Sequence, residues 1–435
     1  MMDSQYNFFT HRWCWLLAGV LFWWLLGLNL FVYHIGALAL FFLFLTHQHT
    51  KIKGFWLPPS AALLFLLSSI YFFSIMLHFS ESGTSRVVAA LYNLSFWIMG
   101  FCLIVVLANV FRYEQVPYIY KTFQKVGWTI VALSFVVILL WASGKMEFHF
   151  NTPLYPLTHF LGETILIKNS LVVNPLLFDW FASTNLPRLN LFSPYPTAAG
   201  GAIMICLYWL WGNAVTNQRL KNPFVLFLLG VNALALLLTM SRMSVLAFIV
   251  SAAIVFLLDK KHAWIWIVSF FLIAILMLPV IESFSTWVLG LRQGSTTGRM
   301  NLYKYTLDQL YGVDWLVGKG IKPRVDVFVI PIGSHSTYIS LVFKTGIIGF
   351  MSFMSFQFVV LWRWLKTKPY VANDPRLFTL WRVLGATMIA MGMWMLTEDI
   401  DAPQFLAFLY FSSVGFFEGL RKGCLSGSFL SQSTT

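Results

Sequence analysis

Apolar runs separated by short polar breaks recur along the whole chain, near 13 to 30, 31 to 46, 55 to 79, 87 to 111, 126 to 144, 194 to 214, 224 to 240, 242 to 258, 264 to 281, 335 to 362, 378 to 397 and 404 to 420. A helix needs about 20 predominantly apolar residues to cross the hydrocarbon core of a bilayer. The pattern therefore predicts about twelve transmembrane helices. The opening run of 34 residues is too long for one of them. Asn29 marks a hairpin turn within it, which returns Arg12 and Lys51 to one side.

Composition narrows the class. The chain has 435 residues, is 59% hydrophobic and 10% charged, and has a mean hydropathy of +0.75. A soluble domain carries about 25% Asp, Glu, Lys and Arg. A soluble enzyme with one anchor, a disordered protein and a β-barrel are all excluded by runs of this length repeated end to end. We expect an all-α polytopic membrane protein, a single integral domain over 1–435. Cys14, Cys102 and Cys206 lie in apolar runs and Cys424 in the tail, with no disulfide framework or metal-ligand spacing. The first run lacks a small-residue cleavage site and leads straight into further hydrophobic sequence, so it reads as a retained helix rather than a signal peptide.

Orientation follows from the positive charges, because cytoplasmic connections hold the Lys and Arg excess. On the predicted topology 17 of the 29 basic residues fall on one face, which makes both termini cytoplasmic. The short connections on the other face hold only Arg86 and Arg242. Ten further basic residues lie in or just past two long outward segments, about 145 to 193 and 282 to 334. Neither is rich in Gly and Ser, so both are expected to be ordered. The first contains Leu176, Leu177, Phe178, Trp180 and Phe181. In the second, Met300, Tyr303, Leu307, Leu310 and Tyr311 fall at helical spacing after Thr296 and Thr297. That pattern predicts an amphipathic helix, capped by the threonines, lying in the membrane interface with Arg299 at its N-terminus.

Four residues stand out as candidates for chemistry. Arg242 sits between two apolar runs with almost no loop, in Leu238-Thr-Met-Ser-Arg242-Met-Ser-Val-Leu246. A cation there is costly unless paired. Either it snorkels to the headgroups, or, with Ser241 capping the next helix, it joins the helix N-terminus to receive phosphate. Arg299 offers a second guanidinium, and two on one face can clamp a diphosphate. His335, in Gly333-Ser-His335-Ser-Thr-Tyr-Ile339, lies where the second outward segment enters a long apolar helix, with Ser334 as the expected N-cap. The helix dipole disfavours imidazolium there, which leaves a neutral ring able to accept a proton. A purely structural cap remains the alternative. His78, His149 and His159 lack that context. Arg188 precedes a Pro-restricted entry at Pro194 and Pro196 and is the weaker candidate. Glu398, Asp399 and Asp401 form an acidic outward turn that either contacts sugar hydroxyls or a basic loop residue or, as we prefer to read it, is plainly solvated. The aromatic residues read mainly as lipid contact and interfacial belt.

Taken together, Thr239-Met-Ser-Arg242, Gly298-Arg299 with its Tyr-rich helix, Gly318-Lys-Gly320, and His335-Ser-Thr-Tyr338 leading into Lys344-Thr-Gly346-Ile-Ile-Gly349 resemble the O-antigen ligase and O-antigen polymerase superfamily over about residues 185 to 360. The resemblance implies transfer of a glycan from undecaprenyl diphosphate to an acceptor hydroxyl, on a glycan or a lipid-linked unit, at the outer face of the bacterial cytoplasmic membrane. It implies no metal, nucleotide sugar or nucleic acid, and a chain-length regulator protein as a partner. His335 then acts as general base, Arg242 and Arg299 hold the diphosphate, and Arg188 contacts acceptor or diphosphate. Ligases of this superfamily often carry His-Asn where this chain has His335-Ser336. The paired arginines of polymerase loops are also absent, position 315 being Trp and 204 Met. The Gly-Ser-His-Ser-Thr-Tyr form is more similar to polymerases of capsule or exopolysaccharide repeats, with transfer to lipid A core as the rival. A flippase or other transporter for lipid-linked oligosaccharide is a third reading, set back by spans nearly free of charge.

Overall fold

The computed structural model describes residues 2–48, 55–81, 83–144, 148–158, 165–178, 187–258, 293–325 and 331–426. The span expected at 264–281, and Trp180 and Phe181 of the first outward segment, lie outside them. Helices dominate: α1 Met2–Ala18, α2 Val20–Leu26, α3 Val32–Gln48, α4 Pro59–Leu77, α5 Thr84–Val110 and α6 Val116–Ala142, then the short α7 Ile165–Leu171. They continue with α8 Pro196–Thr216, α9 Pro223–Leu238, α10 Arg242–Leu257, α11 Gln293–Asp308, α12 Asp314–Val317, α13 Thr337–Val371, α14 Pro375–Trp394 and α15 Gln404–Leu425.

Six stretches among the described residues are long and apolar enough to span a membrane: Pro59–Leu77, Thr84–Val110, Tyr113–Ala142, Pro196–Thr216, Thr337–Val371 and Pro375–Trp394. α9 and α10, at 16 residues each, reach only about 24 Å at 1.5 Å per residue. The chain is thus a helical membrane protein, with fewer full-length spans among the described residues than the hydropathy pattern suggests. The reversal expected at Asn29 is present. Gly27 takes φ 78° at the end of α2, a conformation that Gly adopts without Cβ strain. Asn29 is buried and donates through Nδ2 to the Phe192 carbonyl at 3.0 Å.

The core is organised around α15. Every residue from Gln404 to Leu420 is buried, as expected for a helix enclosed on all sides. Its small residues allow close approach. A Cβ on Gly415 would stand 2.9 Å from Leu107 Cβ on α5, the small-residue packing that membrane helices use in place of a hydrophobic drive. At one end of α15, buried Glu418 pairs with Arg363 at 2.8 Å and accepts from Ser60 Oγ at 2.7 Å.

α13 is bent. Gly346, with φ 62° and ψ −169°, interrupts it. The break frees carbonyls that would otherwise accept from the next turn, and the segment after α12 takes them. Lys319 N donates to Phe343 O at 2.8 Å and Gly320 N to Lys344 O at 3.0 Å. This backbone-to-backbone seat explains the glycines of Gly318-Lys-Gly320. A Cβ on Gly318 would lie 2.3 Å from Thr345 N, and one on Gly346 2.2 Å from the Leu316 carbonyl.

The first outward segment, where described, forms two small antiparallel ribbons. Phe150–Asn151 pairs with Val172–Val173, and Leu176–Phe178 with Pro187–Leu189, placing Leu177 opposite Arg188.

Candidate functional site

Several helix ends meet at one end of the bundle. Thr197, at the start of α8, presents its carbonyl to Ser244 Oγ of α10 at 3.5 Å and to Trp394 Nε1, the last residue of α14, at 3.1 Å. Thr337, which opens α13, donates its N–H to the carbonyls of Met395 and Glu398, both at 3.0 Å. The starts of α8, α10 and α13 and the end of α14 therefore share one surface. All four candidate residues lie on or beside it.

His335 sits two residues before α13. Its backbone has φ 68°, following Gly333 at φ 73°, a region uncommon for a residue with a Cβ. Tyr303 of α11 donates its hydroxyl to the His335 carbonyl at 2.5 Å, which helps hold that conformation. The helix cap is Ser336, accepting from Ile339 N at 3.4 Å, and not Ser334. The strained residue comes first, and the chain can cap only once it has returned to extended backbone at Ser336.

Arg299 departs further from expectation. α11 begins at Gln293, so Arg299 stands in its second turn and not at its N-terminus, and Thr296 and Thr297 lie inside the helix. The buried stripe is also shifted. Leu302, Thr306 and Leu310 are buried, packing beside Ile332 and Phe343, while Met300 and Tyr311 are exposed. The shift follows from Thr306, whose hydroxyl faces inward because Gly333 N donates to it at 2.9 Å. Arg299 then points at the turn after α14. Nη1 donates to Thr397 O at 3.1 Å and Nη2 to Glu398 Oε1 at 2.8 Å.

That turn is not a solvated acidic loop. Glu398, Asp399 and Asp401 are 3%, 7% and 2% exposed, and each meets a cation from a different element. Glu398 pairs with Arg299 of α11, Asp399 with Lys322 at 2.8 Å, and Asp401 with Lys344 of α13. The correction has a simple cause, since carboxylates buried at a helix end are tolerated only when paired and hydrogen-bonded. Lys344 also shows that the spans are not free of buried charge. The second oxygen of Glu398, Oε2, lies 3.9 Å from His335 Nδ1. Burial alone would push the Glu398 carboxyl up, but Arg299 and then His335 beside it hold it down at about 2. It is an anion at any physiological pH.

Arg242 opens α10 as expected, with Ser241 as N-cap accepting from Ser244 N at 3.4 Å. Arg188 is buried on its ribbon and donates through Nε to Thr239 O at 3.1 Å. It therefore leans on the corner that Arg242 closes. The structure brings His335 and Arg299 together at Glu398, and separately sets Arg188 on the Thr239 carbonyl at the α9–α10 corner that precedes Arg242. The Thr197 carbonyl, held by Ser244 and Trp394, links the two.

Sequence reasoning gave no role in the site to Lys344, Lys322 or Tyr303, and preferred the solvated reading for Glu398. One signal was present: three acids within four positions, in a chain with only 16 in all, beside an apolar helix end where unpaired charge is expensive. Comparison with curated proteins gives no match. Residues 224–354 match the family model described as O-antigen ligase. That stretch takes in Arg242, Arg299, Gly318-Lys-Gly320, His335 and Lys344, and leaves Arg188 and the acidic turn outside. Residues 224–354 are thus similar to the O-antigen ligase family, which supports the resemblance to the O-antigen ligase and polymerase superfamily.

Proposed function

We propose that this protein is a polysaccharide polymerase, transferring an undecaprenyl-diphosphate-linked oligosaccharide onto the hydroxyl of an acceptor lipid-linked repeat unit at the outer face of the cytoplasmic membrane. The observation that carries the reading is the meeting of His335 and Arg299 at one buried carboxylate, on the bundle end where Arg242 opens a helix. A ring nitrogen and guanidinium groups at one end of the helix bundle suit a reaction that moves one proton and releases one diphosphate.

In this mechanism His335 accepts the proton of the acceptor hydroxyl as its oxygen bonds to the anomeric carbon of the donor. The bond from that carbon to the diphosphate oxygen breaks, and the leaving diphosphate takes the electron pair. Arg242 and Arg299, with Arg188 behind the α9–α10 corner, offset the charge that develops there. Attack opposite an α-linked diphosphate inverts the anomeric centre. The step asks for no redox partner or nucleotide sugar.

A second reading is transfer of the glycan to lipid A core, favoured by the description of the matched family as O-antigen ligase. Incubating the purified protein with one lipid-linked repeat unit and no other acceptor separates the two. A ladder of lipid-linked oligomers supports the polymerase. Product that forms only after lipid A core is added makes the protein a ligase. Transbilayer movement of the lipid without either product overturns both in favour of transport, a reading the family match does not support.

A further inference from the structure

We infer that Glu398 is the positioning residue of the site: one carboxylate oxygen sets the orientation and tautomer of the His335 ring while the other fixes Arg299. The inference rests on the reading of His335 as the proton acceptor. It goes beyond that reading by assigning a role to a side chain outside the matched domain.

The argument begins with what Glu398 does that its neighbours do not. Asp399 and Asp401 each face a lysine. Glu398 faces two different groups with two different oxygens, Oε1 on Arg299 Nη2 at 2.8 Å and Oε2 toward His335 Nδ1 at 3.9 Å. Binding Arg299 requires only the first. The second gap exceeds a hydrogen bond by roughly 1 Å, and such contacts in unliganded sites commonly tighten when substrate arrives.

The carboxylate is also firmly placed. Its residue's carbonyl accepts from the Thr337 N–H at 3.0 Å and from Thr337 Oγ1 at 2.8 Å, while Ile400 N donates to the same hydroxyl at 3.0 Å. Thr337 follows His335 by two residues, so the turn and the ring are pinned to one helix start. On the other side Tyr303 holds the His335 carbonyl. Both ends of the His–Glu pair are therefore fixed by backbone, and little motion is needed to join them.

The chemical consequence concerns which nitrogen carries the proton. An anion facing Nδ1 favours the tautomer with its proton there, which leaves the Nε2 lone pair for the acceptor hydroxyl. Without the anion the ring can turn or take the other tautomer, and the base is lost although the histidine is still present. Glu398 touches neither sugar nor diphosphate in this scheme. It acts through His335.

The test uses the full-length purified protein, the lipid-linked repeat-unit assay, and the variants Glu398→Gln, Glu398→Asp and His335→Ala. Glu398→Gln keeps the shape and an acceptor for Arg299 but removes the charge. We expect its kcat to fall about 100-fold with KM for the lipid-linked substrate changed by less than roughly threefold. Labelling of His335 by diethyl pyrocarbonate, followed by mass spectrometry, should slow in the same variant. Glu398→Asp, still an anion but one methylene shorter, should recover part of both, which a purely structural role would not produce. A Glu398→Gln enzyme within threefold of wild type, beside an inactive His335→Ala, overturns the positioning role alone. A raised KM with unchanged kcat overturns it too, because Glu398 would then be acting through Arg299. An active His335→Ala removes the proton-acceptor reading itself.

Discussion

Lys344 and Asp401 form an ion pair whose side chains are 1% and 2% exposed, set where α13 breaks at Gly346. Taking two charges out of water is costly, so such a pair adds little by its presence, but removing one member strands the other. Lys344→Met or Asp401→Asn alone should destabilise the protein by about 3–5 kcal/mol, seen as a lowered unfolding midpoint in detergent. The double substitution should cost less than the sum. Single variants as stable as wild type would contradict the buried pairing.

Acid should weaken the site through Glu398. Its carboxyl lies at about 2 in the folded protein against an ordinary 4.5. A depressed folded value means the stabilisation is complete above about 4.5 and disappears as pH falls through about 2. The shift corresponds to on the order of 3 kcal/mol for a fully buried group. Unfolding followed from pH 6 down to 2 should show wild type losing its advantage over Glu398→Gln across that window. A constant difference between the two would refute the assignment.

Arg242→Lys and Arg299→Lys should each lower kcat/KM about 100-fold, because a point charge cannot reproduce a planar fork on a diphosphate. His335→Ala should abolish product growth while the protein remains inserted and monodisperse. Rates near wild type in the lysine variants would remove the diphosphate clamp, and the ladder assay reads both.

Gly346→Ala should be poorly tolerated. Its Cβ would meet the Leu316 backbone at 2.2 Å, with φ at 62° adding strain. Neither neighbour is a side chain that can swing away, so a loss of about 3 kcal/mol is expected. Yield and unfolding midpoint after membrane extraction measure it, and Gly230→Ala in α9, whose Cβ would meet nothing within 4 Å, serves as the comparison. An unchanged midpoint for Gly346→Ala would mean that the helix does not seat its neighbour there.

Local signals carried much of this architecture. The turn at Asn29, the helix opening at Arg242 behind Ser241, and the entry of α13 just past His335 all follow from residues a few positions apart, where capping and hydropathy act. Distances along the chain defeat the rest. Arg299 reads as a helix start because Thr296 and Thr297 are good caps, yet tertiary contact with Gly333 places Thr306 inward and sets the helix face. The acidic turn reads as solvated because its partners, Arg299, Lys322 and Lys344, come from three remote segments, and hydropathy cannot express pairing.

The sharing of one turn among those three segments has a consequence for how the protein is made. The matched domain ends at residue 354, while the acids that neutralise its cations arrive later, between α14 and α15. A nascent chain released into the membrane before α14 and α15 are made would expose Arg299, Lys322 and Lys344 without their counter-charges and His335 without its anchor. Charge balance at this end of the bundle is thus reached only once the turn between α14 and α15 is in place, and a chain split between α13 and α14 should regain it only when both fragments are inserted side by side.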